Sequence, residues 1–353
     1  MEVTLALPES DKAISALTIS ELVENRIGRK VNFSISIFRK SKLVGKSKTL
    51  GSYWGARKFL NQQTFDFCMV RVPILLVLSV NQGLPTIFEA HNTLLHNRYQ
   101  VLHNFWKYKL VTLSKKKEML LFVTISKALA DHWIQEGVPG QKVVPLHDGF
   151  DSLMYREKIP MDEARKLLGI GQSLKIVTYT GSLYEDRGIE TILNLARCYK
   201  DVQFWILGGP LKRKQYFEAL ARERQIDNVV FQGWVKREKV KEFLFASDVL
   251  LMIWTRSVKT INFCSPLKMF EYMASGRVIV GHGFPTIKEV LKDGREALLV
   301  DPDSFDDLKK KIGMALSLKC APEMARQARQ LAFKEYSWDK RVDTILRLLQ
   351  FRN

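Results

Sequence analysis

Residues 174–207 read LKIVTYTGSLYEDRGIETILNLARCYKDVQFWIL, and this stretch decides the fold. A β-branched apolar run, Leu174 to Tyr179, leads into a turn around Gly181, a helical pattern from Gly188 to Tyr199, and a second apolar run from Val202 to Leu207. Apolar runs of this length suit fully buried strands, and the spacing between them suits a helix. The alternation continues downstream. Val229 to Phe231, Val249 to Ile253, Val278 to Val280 and Ala297 to Val300 read as strands. Arg213 to Gln225, Glu238 to Phe245, Pro266 to Ser275, Thr286 to Lys292 and Phe305 to Leu318 read as helices. Strand and helix in strict turn specify a parallel sheet covered by helices. Ligands of such sheets sit beyond the carboxyl ends of the strands, where loops run into helix N-termini.

Upstream the same style is less regular. Val3 to Leu7, Val31 to Phe38, Phe67 to Val70, Thr86 to Glu89, Leu121 to Ile125 and Lys142 to Leu146 are strand candidates, with Ile19 to Asn25, Tyr53 to Asn61 and Lys127 to Glu136 as helices. Turn signals and charge from Leu146 through Pro160 mark a connector. A length of 353 residues fits about two domains of roughly 150 residues, so two α/β domains with a cleft between them are expected.

Composition narrows the function classes. Hydrophobic residues at 46% and charged residues at 26% describe an ordinary globular chain, yet 55 Lys and Arg against 37 Asp and Glu leave +18. That sign and size favour an anionic partner: a nucleic acid, a phosphorylated ligand or an acidic membrane face. Arg26, Arg29, Lys30, Arg39, Lys40, Lys42, Lys46, Lys48, Arg57 and Lys58 fall in one stretch without an acid, and Lys115 to Lys117 add a second cluster. Either a solvated basic face or attraction to anionic lipid explains them. Phe33, Phe38, Tyr53 and Trp54 are interleaved, which leaves a nucleic-acid groove open on pattern alone.

Cys68, Cys198, Cys264 and Cys320 are far apart and read as buried or idle thiols of a reducing compartment. His91, His96, His103, His132, His147 and His282 are scattered singly, without metal-ligand spacing, so no metal and no cofactor is expected. The longest apolar runs, Val72 to Val80 and Met119 to Ile125, are far shorter than the ~20 residues of a membrane span. The start, Met1 to Pro8, lacks the basic and apolar regions of a signal peptide, which points to the cytoplasm.

Two turns carry the chemistry. In Ser265-Pro-Leu-Lys-Met-Phe-Glu-Tyr-Met-Ala-Ser-Gly276, Ser265 reads as the N-cap, Pro266 as the first helical residue and Gly276 as the stop. A helix beginning after a strand offers free N–H groups and a positive dipole end to an anion. Lys268 and Glu271, three apart, share a face, as a cation for phosphates and a carboxylate for ribose hydroxyls would; a plain surface ion pair fits the spacing equally. In Tyr179-Thr-Gly-Ser-Leu-Tyr-Glu-Asp-Arg-Gly188, Gly181 permits close backbone approach and Arg187 precedes a helix. The two turns should converge.

These residues resemble a family. Gly181-Ser-Leu-Tyr-Glu-Asp-Arg-Gly-Ile-Glu190, Gly233-Trp-Val with Ala246-Ser-Asp-Val-Leu250, the Ser265 to Gly276 segment and Gly294-Arg-Glu-Ala-Leu-Leu-Val300 look like successive motifs of group 1 (family 4) glycosyltransferases, from about residue 120 onward. The resemblance implies a GT-B fold of two Rossmann-like domains facing each other across a cleft. It implies an acceptor-side domain over 1–155, a nucleotide-sugar domain over 156–335 and, from Tyr336-Ser-Trp-Asp339 onward, a helix (336–353) crossing back to the first. It also implies a retaining, metal-independent transfer of a hexosyl-type group from a nucleoside diphosphate sugar to a saccharide or lipid-linked acceptor. Catalytic roles would fall to His91, Arg187 and Lys268. Donor contacts would come from Gly181, Ser182, Ser265, Pro266, Leu267 and Glu271, with Glu271 on the ribose. Glu89-Ala-His91 resembles the family's E-x-H element. No nucleic acid is then expected, and the enzyme would work in the cytoplasm, peripheral to the inner face of an anionic membrane.

Three departures bear on this. The family often has two glutamates separated by seven residues; Glu271 matches the second but the first falls on Phe263, so backbone near Asn262 to Cys264 would hold the sugar. Gly181-Ser-Leu stands where many members have Gly-Arg-Leu. Glu2 to Pro8 resembles the family's second strand, which implies that the first strand, Gly-rich loop and first helix are lacking, through a misplaced start codon or a shortened chain. The alternative function is therefore a non-catalytic GT-B-fold protein that binds a nucleotide or partner.

Overall fold

The computed structural model describes residues 2–8, 15, 19–21, 24, 30, 33–38, 48–93, 100–317 and 321–350. Arg26, Arg29, Arg39, Lys40, Lys42 and Lys46 of the basic stretch, along with His96 and Cys320, lie outside the described residues, and the helix expected over Ile19 to Asn25 is described only in part. Contacts divide the chain into two units, Met1–Thr124 with Leu129–Pro145 and Ile125–Ala128 with Leu146–Asn353. Residues 146–155 and the C-terminal helix therefore cluster with the second unit.

In the first unit, β1 (Thr4–Pro8) and β2 (Ser34–Phe38) form a parallel pair. A separate parallel sheet runs β3 (Cys68–Val70), β4 (Thr86–Ala90), β5 (Met119–Thr124) and β6 (Val143–Pro145) in that spatial order. Its helices are α1 (Lys48–Leu60), α2 (Pro73–Asn81), α3 (Gln100–Ser114) and α4 (Lys127–Gln135). In the sequence, Val72 to Val80 reads only as an apolar run, and no helical period marks α3. α2 is apolar on every side, opens with Pro73 and buries Leu76, Leu78 and Val80, so it lacks the polar face that makes a helix visible as a period.

In the second unit the alternation read from the sequence is realised strand for strand. The elements are α5 (Ser152–Tyr155), α6 (Met161–Leu167), β7 (Lys175–Thr180), α7 (Ile189–Cys198), β8 (Val202–Leu207), α8 (Leu211–Glu223), β9 (Val229–Gly233) and α9 (Arg237–Ala246). They continue through β10 (Val249–Met252), α10 (Leu267–Ser275), β11 (Val278–His282), α11 (Pro285–Val290), β12 (Leu298–Val300), α12 (Phe305–Ser317), α13 (Ala321–Glu335) and α14 (Trp338–Gln350). All six strands are parallel, in the order β12-β11-β10-β7-β8-β9.

Both faces of this sheet are buried, as a helix-covered parallel sheet requires. Val249, Leu251 and Ile253 pack on one side with Ile189, Ile192 and Leu193, while Leu250 and Met252 pack on the other with Met269, Phe270 and Met273. The chain runs outward from β7 through β8 and β9, then returns to lay β10 on the opposite side of β7. Strand order thus reverses between β7 and β10, and the crevice at their carboxyl ends is the place a ligand occupies in such sheets.

Among the aromatics read as packing residues, Trp54 is 46% exposed and Trp338 is also exposed. Cys198, on the last turn of α7, is exposed, and Cys68 and Cys264 are partly buried; all three are free thiols. Among the described residues, no helix is long and apolar enough to cross a membrane.

Candidate functional site

The loops after β7 and β10 meet. Thr255 donates from both its backbone N (3.0 Å) and its Oγ1 (3.1 Å) to the Asp186 carbonyl oxygen, tying the second loop to the first. Gly181 opens the first loop with φ +148, and its N–H donates to the Leu207 carbonyl at 2.9 Å. Gly188 closes it in the left-handed region at φ +73, against Ile253 of the second loop. Arg213 Nε donates to the Leu183 carbonyl at 2.9 Å, holding the loop from the α8 side.

α10 is fastened to the same strand ends by a residue that the sequence reading missed. The Thr180 N–H donates to the Tyr272 hydroxyl at 2.8 Å, and that hydroxyl also lies 3.1 Å from Thr180 Oγ1. Four residues before Tyr272 along α10, Lys268 is set above the turn. Its Nζ lies 3.9 Å from the centre of the Tyr179 ring and 5.1 Å from that of Trp254, and it would stand 3.0 Å from a Cβ placed on Gly181. The ammonium atom is buried and has no hydrogen-bond partner. Burial pulls its pKa down to about 7, and the Arg187 guanidinium adds to the shift. Arg187 Nε is likewise buried without a hydrogen bond, with Asp186 Oδ1 3.3 Å away in ion-pair range only.

Two cations therefore converge on one turn with little to neutralise them. An unpaired buried charge is costly and is tolerated where a counter-ion arrives. The ion-pair alternative for Lys268 and Glu271 does not occur. Burial raises the Glu271 pKa and the Arg237 charge opposes that rise, so its electrostatic neighbours lie toward α9 and Tyr155 of α5.

The start of α10 differs from expectation. Pro266 occupies the cap position, with no side-chain cap, and the helix begins at Leu267. The Ser265 hydroxyl faces away, accepting from the Asp148 N–H at 2.9 Å and lying 3.3 Å from His147 Nδ1. His147 Nε2 is in turn 2.9 Å from Glu289 Oε2. Ser265 is drawn inward because the 147–148 loop needs its hydroxyl. Gly276 ends the helix at φ +65, as read. Pro266 has no N–H and Met269 N bonds to the Pro266 carbonyl at 2.9 Å, so Leu267 and Lys268 carry the backbone donors at the tip of α10.

Ser182 lies half-buried in the first loop and Leu267 is exposed. A cavity of about 650 Å³ is lined by Tyr184, Glu185, Asp186, Arg213, Thr255 and Ser257, beside the junction of the two loops. His91 lies in the first unit, just past β4, with Glu89 and Arg71 around it. His103 and His282 are buried core histidines. No group of three or more His, Cys, Asp or Glu is placed to hold a metal ion among the described residues.

With this geometry in place, residues 174–317 match the model of the family described as glycosyl transferases group 1. The matched segment is less than half of the chain and holds β7 through α12, and so contains both loops, Arg187, Lys268 and Glu271. The lipopolysaccharide 1,2-N-acetylglucosaminetransferase of Salmonella typhimurium is 24% identical over 217 residues, covering 58% of this chain and 55% of its own length. The chitobiosyldiphosphodolichol beta-mannosyltransferase of Candida albicans is 23% identical over 306 residues, covering 78% of this chain and 66% of its own length. The chain thus spans about half to two thirds of these curated relatives. Among solved structures, Anabaena HepE in complex with UDP and glucose superposes with a TM-score of 0.73 at 17% identity, covering 99% of this chain and all of that one. The likeness is one of fold, and the fold is that of the GT-B glycosyltransferases.

Proposed function

We propose that the chain is a retaining glycosyltransferase of glycan or polysaccharide biosynthesis, moving a hexosyl-type group from a nucleoside diphosphate sugar to a saccharide or lipid-linked acceptor. The carrying observation is Lys268 Nζ, buried, unpartnered and close to Arg187 at the reversal point of the sheet. Solved relatives of this fold hold UDP and UDP-glucose, which supports a diphosphate as the anion. In this reading Arg187, Lys268 and the Leu267 and Lys268 N–H groups receive the diphosphate, with Gly181 and Ser182 lining its approach. Glu271 takes the ribose hydroxyls, and His91 serves the sugar from the acceptor-side unit. The cytoplasm, at the inner face of an anionic membrane, is the proposed place of work.

Cleavage of the glycosyl–phosphate bond leaves negative charge on the diphosphate. Preorganised cations and N–H dipoles stabilise that charge most where water is excluded. The acceptor oxygen then bonds to the anomeric carbon from the face the phosphate leaves, and the acceptor proton passes to the departing phosphate oxygen. Two cations in the site make a metal ion unnecessary for charge neutralisation.

Lys268→Ala and Arg187→Ala should each cut sugar transfer by about 100-fold or more while leaving the circular dichroism melt cooperative. Unchanged turnover in both variants contradicts the assignment. Proton NMR of the first-formed product reads the anomeric outcome, and a chelator titration reads the metal dependence. Nucleotide binding without transfer to any acceptor favours the non-catalytic alternative.

A further inference from the structure

Parallel pairing of β3 with β4 sets Val70 beside Phe88. The next neighbours toward the carboxyl ends are Arg71 and Glu89, with His91 two residues on. The three side chains close a triangle. Arg71 Nη2 lies 3.1 Å from His91 Nδ1, Arg71 Nε lies 3.8 Å from Glu89 Oε2, and His91 Nε2 lies 3.4 Å from Glu89 Oε1. Glu89 is buried at the end of β4, so it anchors both partners.

A guanidinium carries five donors and no acceptor, and it stays protonated in proteins. The 3.1 Å contact is therefore a hydrogen bond only if Nδ1 holds the lone pair and Nε2 carries the ring proton. That Nε2 is buried, and Glu89 sits in ion-pair range without meeting hydrogen-bond geometry, so the N–H has no hydrogen-bond partner. We propose that Arg71 is a positioning residue that fixes the His91 tautomer: with Nδ1 held by Arg71 and the Nε2–H turned toward the Glu89 carboxylate, neither ring nitrogen is left to abstract a proton from a ligand at the carboxyl end of β4. The functional part rests on the reading of His91 given above; the tautomer does not.

The test labels the histidine rings with ¹⁵N and reads the two-bond proton–nitrogen pattern, with His91 assigned by its loss in His91→Gln. The wild type should show the Nε2–H form at His91, and Arg71→Met, which keeps the aliphatic stem, should move the ring to a mixture or to Nδ1–H. Turnover in Arg71→Met should fall about tenfold, in the range typical of partners that orient a functional histidine, with the donor KM changed less than about twofold. Arg71→Lys, still a cationic donor, should restore most of the rate. An Nδ1–H ring in the wild type, or an Arg71→Met protein with unaltered tautomer and turnover, overturns the proposal. A wild type that transfers no sugar yet shows the Arg71-dependent tautomer supports the positioning role and overturns only the glycosyltransferase reading.

Discussion

Lys268 places a charge where folding alone gains nothing from it. Its pKa of about 7 in the folded chain stands below the ordinary lysine value of about 10.4. Between these two values the unfolded chain holds a proton that the folded chain has released, so folding stability rises with pH across that window. Below pH 7 the full penalty of burying the ammonium is present. Lys268→Met should therefore raise the melting temperature at pH 6 and raise it much less at pH 10. A gain that is equal at both pH values would place the lysine's effect in packing instead. The same reasoning applies to a ligand. A diphosphate beside Nζ restores the ordinary protonation, so binding at pH 8 should take up a proton and weaken as pH rises. Calorimetry in two buffers of different ionisation heat measures that uptake directly, and identical apparent enthalpies would remove the link between Lys268 and the anion.

Among the elements, the glycines at the strand ends separate fold from site. Gly209 is in the left-handed region at φ +79, and a Cβ there would overlap the Leu183 side chain, which is fully buried beneath the first loop. Gly209→Ala should cost about 2 kcal/mol, the usual scale of overpacking, read as a lower denaturation midpoint. A Cβ on Gly181 meets Lys268 Nζ and the Tyr179 hydroxyl, each at 3.0 Å. Gly181→Ala should therefore reduce nucleotide affinity more than it reduces stability. The two turns themselves were legible in the sequence, because Gly181, Pro266 and Gly276 are residues whose backbone chemistry announces a turn or a helix end. The inward rotation of Ser265 was not legible, since it answers to the Asp148 N–H and His147, more than 110 residues away along the chain. Tyr272 and Trp254 were invisible for a similar reason: in the sequence they are simply aromatics at core positions.

At the scale of the whole molecule, legibility follows periodicity. The second-unit sheet was readable because each strand is a short apolar run and most of its helices have a polar face. α2 and α3 were not, α2 for want of any polar face. The excess of basic residues has no bearing on either sheet, and it distributes unevenly. Tyr108 is 66% exposed and Phe105 47% on α3, with Lys109 Nζ 5.7 Å from the Phe105 ring centre. Lys115, Lys116 and Lys117 are exposed just beyond the helix end. Exposed aromatics beside lysines suit a membrane–water interface, and each basic residue near an anionic surface contributes about 1 kcal/mol. For a lipid-linked acceptor, the prediction is that this helix forms the surface that meets the bilayer. Sedimentation with phosphatidylglycerol vesicles should then show binding that falls as salt is raised, since the attraction is screened within roughly 10 Å at 0.1 M. The Phe105→Ser, Tyr108→Ser double variant should bind more weakly than the wild type at every salt concentration, because the apolar part of the attachment does not screen. Equal binding of phosphatidylcholine vesicles, or full retention by the double variant, would confine the basic excess to solubility.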